Sequence, residues 1–217
     1  MLAIVNTRRQ SRRAEQRLTP ANLVGVNRRE QIMATAAELF AEKGFHGVSI
    51  AELGAACGFS GPAIYRHFRS KDAVLAEMLV SISDELLLVG RQRVRDAETA
   101  EDALRGLVDW HVSFALDHKA LIVVQDRDWA SLPLEAREKV RETQLKYVEV
   151  WVKQLRTLHP DLPLRTARAS VHAAFGLLNS TPHSSAFLPP EEMRVLLAGM
   201  AAGALGVEVS SVAAPAG

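Results

Sequence analysis

A single cysteine in 217 residues leaves no partner for a disulfide within the chain and excludes a cysteine-rich metal site. Aromatic residues are sparse, at 6%. No apolar run approaches the roughly 18–20 residues that cross a bilayer, so no membrane partner is expected. The N-terminal stretch has arginines but no apolar segment leading to a small-residue cleavage site. A secretory signal is therefore not expected, and the expected compartment is the cytoplasm. Neither sign of charge dominates, since 26 Lys and Arg against 25 Asp and Glu leave a formal +1. Catalytic signatures are missing as well: G-x-x-x-x-G-K-[ST], H-E-x-x-H and G-x-S-x-G do not occur. The histidines are scattered, and no cofactor or metal is expected.

What is present is a chain able to bury a sizeable core. Hydrophobic residues make up 48% and charged residues 24%, enough for one large domain or a small and a medium one. Near-neutrality hides an asymmetry. Residues 1–72 contain 11 Lys and Arg against 6 Asp and Glu, a net +5, while residues 73–217 contain 15 against 19, a net −4. Such a basic first third either meets a polyanion or is a tail of no consequence. Arg8, Arg9, Arg12, Arg13 and Arg17 lie in a non-periodic stretch, residues 1–26, read as a flexible basic arm.

From Asn27 onward the pattern is helical. Ile32, Ala36, Leu39 and Phe40 recur at three- and four-residue spacing, with Asn27 as N-cap, Glu30 three residues on, and Gly44 as the stop. Ser49 and Glu52 open a second helix to about Cys57, with Cys57 on its apolar face as inert core. Gly58 ends it. Ser60 caps a third helix of about two turns, with Pro62 in its first turn and Ile64 and Phe68 as its buried stripe. Ser70 and Asp72 open a fourth, with Val74, Leu75, Met78, Leu79 and Ile82 inward. This fourth helix runs over 71–95, and further helices are expected over 99–118, 120–130, 133–158, 163–181 and 189–206, with breakers at prolines. No strand-like alternation occurs. The fold class is all-α, with about nine helices and a frayed tail over 207–217.

The segment from Ser49 to Lys71 reads helix, glycine-containing tight turn, short helix, which is the helix-turn-helix arrangement. Leu53 and Ile64 can pack across the corner, leaving the amino end of the second helix projecting, the end that enters a major groove. Free N–H groups at that end suit phosphate, with the Ser49 and Ser60 hydroxyls beside them. Tyr65 can donate its phenolic proton to a phosphate, and His67 and Lys71 lie on a plausible backbone-clamping edge. These contacts position the protein rather than read sequence. Taken singly, Tyr65 could equally be a half-buried core residue and His67 a helix C-cap.

Residues 28–78 closely resemble the TetR family of bacterial transcriptional repressors. The resemblance rests on Phe40, Gly44, Ile50, Leu53 and Gly58, and on the run Tyr65-Arg66-His67-Phe68-Arg69-Ser70-Lys71, similar to the family's Tyr-x-His/Tyr-Phe-x-Ser/Asn-Lys signature. It implies a helix-turn-helix domain over 27–72 and a ligand-binding and dimerisation domain over 73–206. It places base contacts on Gly61, Pro62 and Ala63, which here are small and poor in hydrogen-bonding groups. Gly61 would permit close backbone approach, and Pro62 and Ala63 can touch a thymine methyl. Arg66 can take guanine bidentately or bind phosphate. Part of the specificity then falls to DNA shape or to the basic arm.

In the larger part, Trp110 and Phe114 are four apart, as are Tyr147 and Trp151, so each pair shares a helix face. With His111, Trp129, Gln144, His172, Phe175 and Asn179 they form either plain core or an apolar pocket with polar anchors. The expected ligand is moderately apolar, such as an acyl-CoA or a drug-like compound. Ala169, Ala173, Ala174 and Gly176, then Ala198, Gly199, Ala201, Ala202 and Gly203, make the last two long helices rich in small residues. The resemblance implies that these helices pair with their copies in a homodimer, with Leu177, Leu178, Val195, Leu196 and Met200 supplying apolar area. Asp126, Arg127 and Asp128 read as a solvated helix end with a local ion pair. The function implied is a ligand-responsive repressor, not an enzyme, that binds a palindromic double-stranded operator. The alternative is a small all-helical enzyme or carrier with an incidental basic head.

Overall fold

The computed structural model describes residues 27–207. The basic arm at 1–26 and residues 208–217 of the expected tail lie outside the described residues. Among those described there are ten α-helices and one 3-10 turn, and no strand. The helices are α1 (Arg28–Lys43), α2 (Ile50–Ala56), α3 (Gly61–Ile64), α4 (Lys71–Asp96), α5 (Ala100–Asp117), α6 (Lys119–Asp128), α7 (Leu134–Leu158), α8 (Leu164–Leu178), α9 (Thr181–Ser184) and α10 (Pro190–Ala204). The 3-10 turn, Trp129–Ser131, follows α6 directly.

Side-chain caps set several of these starts. The Asn27 side chain accepts from Arg29 N, Ser49 from Glu52 N, Ser70 from Ala73 N and Thr99 from Asp102 N. Each bond satisfies a helix-end amide that has no partner inside the helix. Pro133, Pro163 and Pro189 stand immediately before α7, α8 and α10.

Four details differ from the sequence expectation. The third helix is one turn, because Arg66 N bonds to Ala63 O and His67 N to Ile64 O at three-residue spacing, which tightens the chain, and beyond that turn only Phe68 N keeps a four-residue bond, to Ile64 O. The Ser60 hydroxyl makes no capping bond. The helix expected over 163–181 stops at Leu178, and a separate short helix, α9, follows. Val207, assigned to the frayed tail, is buried, and its amide donates to Ala202 O at 2.9 Å.

Two main cores result. One fills the body with Leu104, Leu107, Val112, Tyr147, Trp151, Leu155, Val171, Leu178, Leu197 and Ala201. The other lies under the head, where Ile32, Phe40, Phe45, Leu53, Cys57, Ile64 and Phe68 pack with Leu75, Met78, Leu79, Val124, Leu132 and Val140. This second core draws on α1 to α4 and also on α6, α7 and the turn between them. Each large apolar side chain buried here contributes about 1.5–3 kcal/mol, against about 1 kcal/mol for a cap. Packing against the body therefore holds the head more firmly than its own helix signals do.

α2 and α3 cross at backbone contact. A Cβ on Gly54 would lie 2.9 Å from Gly61 N, and a Cβ on Gly61 would lie 3.2 Å from Ala51 Cα. Gly61 is thus a glycine because its bare side faces α2. Gly58, at φ +74°, makes the turn between them in a conformation that side chains disfavour.

Gly54→Ala tests this crossing. Alanine gains about 1 kcal/mol in helix propensity, but overpacking against unyielding backbone costs about 1–3 kcal/mol. The expected outcome is a Tm several degrees lower in thermal unfolding followed by circular dichroism. A Tm equal to or above that of the unsubstituted protein contradicts the close contact.

Candidate nucleic-acid interface and ligand cluster

The recognition segment presents one face and buries the other. Ile64 and Phe68 are buried, whereas Ser60, Pro62, Tyr65, Arg66 and Arg69 are exposed and Gly61, Ala63 and His67 are intermediate. Tyr65, at 56% exposure, is far more open than a core tyrosine. Ser49 is exposed too, but its hydroxyl oxygen is already accepting from Glu52 N at 3.1 Å. The amino end of α3 therefore projects, as the helix-turn-helix reading requires, with Ile64 and Phe68 anchoring it from behind.

Two cations hold this end from inside. Lys71 Nζ donates to Phe45 O at 2.6 Å and Val48 O at 2.7 Å and lies 4.4 Å from the centroid of the Phe45 ring. Two of the three ammonium donors are thus committed to the loop between α1 and α2, and one is left for a phosphate. Arg29 donates to His67 O, pairs with Glu77 of α4, and stands over the Phe68 ring at 4.3 Å. Sequence reasoning missed Arg29, whose partners lie 38 and 48 residues away.

The joint between head and body was also misread as solvated. Asp128 is buried and accepts from Phe45 N at 3.3 Å. Arg127 pairs with Asp128 at 3.2 Å and donates to Phe40 O and, at 3.0 Å, to Ala41 O. It thereby places a cation on carbonyls at the negative end of α1. The ion pair is a fastener between α6 and α1, since the α6 end meets the head rather than water.

In the body, six of the ten expected pocket residues come together. His111 stacks on Phe175 at 4.8 Å and on Tyr147 at 5.9 Å, and Phe114 and Trp151 meet His111 edge-on. His111 Nε2 bonds with Asn179 Oδ1 at 3.1 Å, and Nδ1 lies 3.4 Å from the Tyr147 hydroxyl. The rings are in contact with one another, so the cluster is packed rather than open. The indole N–H of Trp151 is buried and is set against the Tyr147 hydroxyl, in poor hydrogen-bond geometry. Trp110 is half-buried, and its Nε1 has no partner.

Four expected residues do not join: Trp110 and Gln144, both half-buried, and Trp129 and His172. Trp129 packs into the core under the head, because the 3-10 turn carries it there. His172 is exposed on the outer side of α8. Burial sets the chemistry of the cluster. It pushes the His111 imidazole down to about 4, against a smaller opposing effect of the Asn179 bond. It raises the Tyr147 phenol, and it also lowers His118, whose ring lies 5.5 Å from that of Phe114. At neutral pH the cluster is uncharged, with hydrogen-bonding groups set in aromatic walls. Burial likewise raises the Cys57 thiol, so it stays protonated.

Comparison with known proteins gives the following. The model of the tetR family of bacterial regulatory proteins matches residues 32–78, and that of a tetracyclin repressor-like C-terminal domain matches 97–183. The chain is 26% identical over 155 residues to the HTH-type transcriptional repressor KstR2 of Rhodococcus jostii, covering 71% of this chain and 76% of that one. Two further relatives are spanned over 62% and 64% of their own length. A TetR-family transcriptional regulator from Bordetella parapertussis superposes with TM-score 0.72 at 24% identity, covering 81% of this chain and 94% of that one. FadR from Bacillus subtilis, solved in complex with stearoyl-CoA, superposes with TM-score 0.62 at 20% identity, covering 79% and 96%.

The His111 environment generates a pH prediction. Its pKa is about 4 when folded and about 6.5 when unfolded, so between those values the unfolded chain binds more protons. The neutral imidazole's contribution is complete above pH 6.5 and is lost as pH falls toward 4. The slope is up to about 1.4 kcal/mol per pH unit. Denaturant unfolding at pH 7 and pH 5 is expected to show a smaller pH loss for His111→Gln than for the unsubstituted protein. Identical losses would place His111 in water.

Proposed function

This chain belongs to the tetR family of bacterial regulatory proteins and is a DNA-binding transcriptional regulator rather than an enzyme, and on that premise we propose the following reading. The protein is a cytoplasmic repressor that binds a palindromic operator as a homodimer and leaves it when a moderately apolar ligand occupies the body. The observation that carries this is the projecting amino end of α3, with Tyr65 and Arg66 outward and Ile64 and Phe68 inward. Tyr65, Ser60, His67 and the remaining Lys71 donor take phosphates. Arg66, Pro62 and Ala63 face base edges, with DNA shape supplying the rest of the specificity.

The ligand reading rests on the uncharged cluster of His111, Phe114, Tyr147, Trp151, Phe175 and Asn179, with Trp110 nearby on α5. The packed rings must part to admit a ligand, and a carbonyl oxygen can then replace the poorly aligned Tyr147 hydroxyl as acceptor for the buried indole N–H of Trp151. An acyl thioester fits this chemistry, and the stearoyl-CoA complex of FadR supports it. Ligand can shift the dimer between states only by its difference in affinity for them.

The dimer reading rests on an apolar outer face. Val195, Leu196 and Met200 of α10 are 63%, 45% and 50% exposed, and Phe187 before it is 82% exposed. A Cβ at Gly176, Gly199 or Gly203 would meet no atom within 4 Å, so these positions leave room for a second copy. Ala169, Ala173 and Leu177 share the exposed or half-exposed side of α8. Leu178, Ala174, Ala201 and Ala202, expected at the interface, are buried inside the chain instead, because the opposite faces of the same helices build its own core. Two heads are then to be spaced by about 34–36 Å or a multiple.

Selection of bound duplexes from a random pool tests the operator, and repetition with stearoyl-CoA tests release. Tyr65→Phe is expected to weaken operator and unrelated duplex alike, by about fivefold for one hydrogen bond. Equal affinity in a gel-shift titration refutes that role. Leu196→Glu with Met200→Glu is expected to sediment as a monomer at micromolar concentration, with operator binding lost. A persisting dimer would move the interface elsewhere.

A further inference from the structure

Gly90 lies in the interior of α4, a 26-residue helix. Glycine there costs about 1 kcal/mol relative to alanine, so its place calls for a packing reason. The reason is Tyr147. A Cβ on Gly90 would lie 2.6 Å from Tyr147 Cε2 and 3.2 Å from Cδ2, with Leu107 Cδ2 at 3.3 Å. The tyrosine ring rests on bare helix backbone.

That ring belongs to a stack. Tyr147 lies parallel to Phe175 at 5.5 Å and to His111 at 5.9 Å, and His111 to Phe175 at 4.8 Å, all within 12°. Three rings from α5, α7 and α8 are thus seated on the fourth helix. Toward the head, α4 is tied at further points. Asp84 accepts from Thr143 Oγ1 at 3.1 Å and lies 3.6 Å from Lys139 Nζ. Glu77 pairs with Arg29, which in turn bonds His67 O and covers Phe68. Ser70 caps the start of α4, directly after the recognition segment.

We propose that the contact of Gly90 with the Tyr147 ring is the coupling seat of this protein, at which the arrangement of the ring stack sets the position of α4 and, through Glu77 and Arg29, that of the recognition segment. Gly90 is a positioning residue in this scheme. The inference rests on the reading of the ring cluster as the ligand site and adds the contact at which occupancy is sensed. Close-packed elements shift between discrete arrangements rather than deform continuously, so a displaced ring moves the helix it sits on.

The test reads operator affinity without ligand, so its outcome is independent of what the cluster binds. Gly90→Ala drives a methyl group into the Tyr147 ring. It is expected to weaken operator binding by about tenfold, within the range of known allosteric couplings, while sedimentation and helical content stay unchanged. Adding Tyr147→Ala to Gly90→Ala removes the clash and is expected to bring affinity to within about twofold of Tyr147→Ala alone. A folded Gly90→Ala protein with full operator affinity overturns the proposal. So does a loss that persists undiminished in the double variant, since the effect then bypasses Tyr147.

Hydrogen exchange on Tyr147→Ala gives a second readout that does not need Gly90→Ala to fold. Faster exchange is expected in α4 and over residues 61–68, with α10 unchanged. Exchange altered only in α7 and α8 overturns the seat. Titration with stearoyl-CoA tests the ligand reading separately. If it fails to bind while the double variant still recovers, the coupling stands and the ligand assignment falls.

Discussion

A four-residue helix has no stability of its own. Forming the first turn costs more conformational freedom than one hydrogen bond returns, and isolated helices shorter than about 12 residues are marginal in water. α3 exists because its neighbours hold it. Gly54 and Gly61 let α2 come to backbone contact. Ile64 and Phe68 plug it into the core, Arg29 takes the carbonyl of His67, and Lys71 fixes the loop behind it. All of these act on the inner side. The outer side is left to Tyr65, Arg66 and Pro62, which owe the fold nothing and are free to meet DNA.

The same dependence carries the head into the body. Its core includes Val124, Leu132 and Val140, and the Arg127–Asp128 pair fastens α6 to the end of α1. Two helices therefore reach the head from the ring cluster. α4 starts beside the recognition segment and passes under Tyr147. α6 starts at His118, whose ring touches Phe114, and ends on Phe45. A head so joined cannot swing independently of the rings. A regulator needs that property, because a freely hinged head would report nothing about ligand.

Local signals were legible in the sequence and long-range ones were not. Asn27, Ser49 and Ser70 announced helix starts because a cap acts on amides two or three residues away. Ile64 and Phe68 announced the buried side because helical periodicity fixes which residues share a face. Gly54 and Gly90 gave no such sign, since a glycine made necessary by another element looks like any other glycine. Arg29 drew no reading, and Asp128 read as part of a solvated helix end, because Glu77 and Phe45 lie far along the chain from them. His172 and Trp129 were grouped with the cluster by residue type alone, and type does not say which way a helix faces. Leu178 was misassigned for the same reason: α8 and α10 each have an inner and an outer apolar side, and composition does not separate them.

On the proposed reading of the cluster as the ligand site, its uncharged state limits what it can recognise. His111 is held neutral by burial, and its ring nitrogens face Asn179 and Tyr147. No carboxylate or cationic side chain is among the six residues. A ligand's charged group placed there would lose its hydration with no counter-ion to replace it, at a cost of several kcal/mol. An apolar chain or ring carrying one acceptor would lose little and would give the Trp151 indole a better-aligned partner than the Tyr147 hydroxyl. Any charged part of the ligand must then lie outside the stack. Affinity from the apolar part and discrimination from the charged part would come from different residues, and only the apolar part would reach Tyr147 and the helix beneath it.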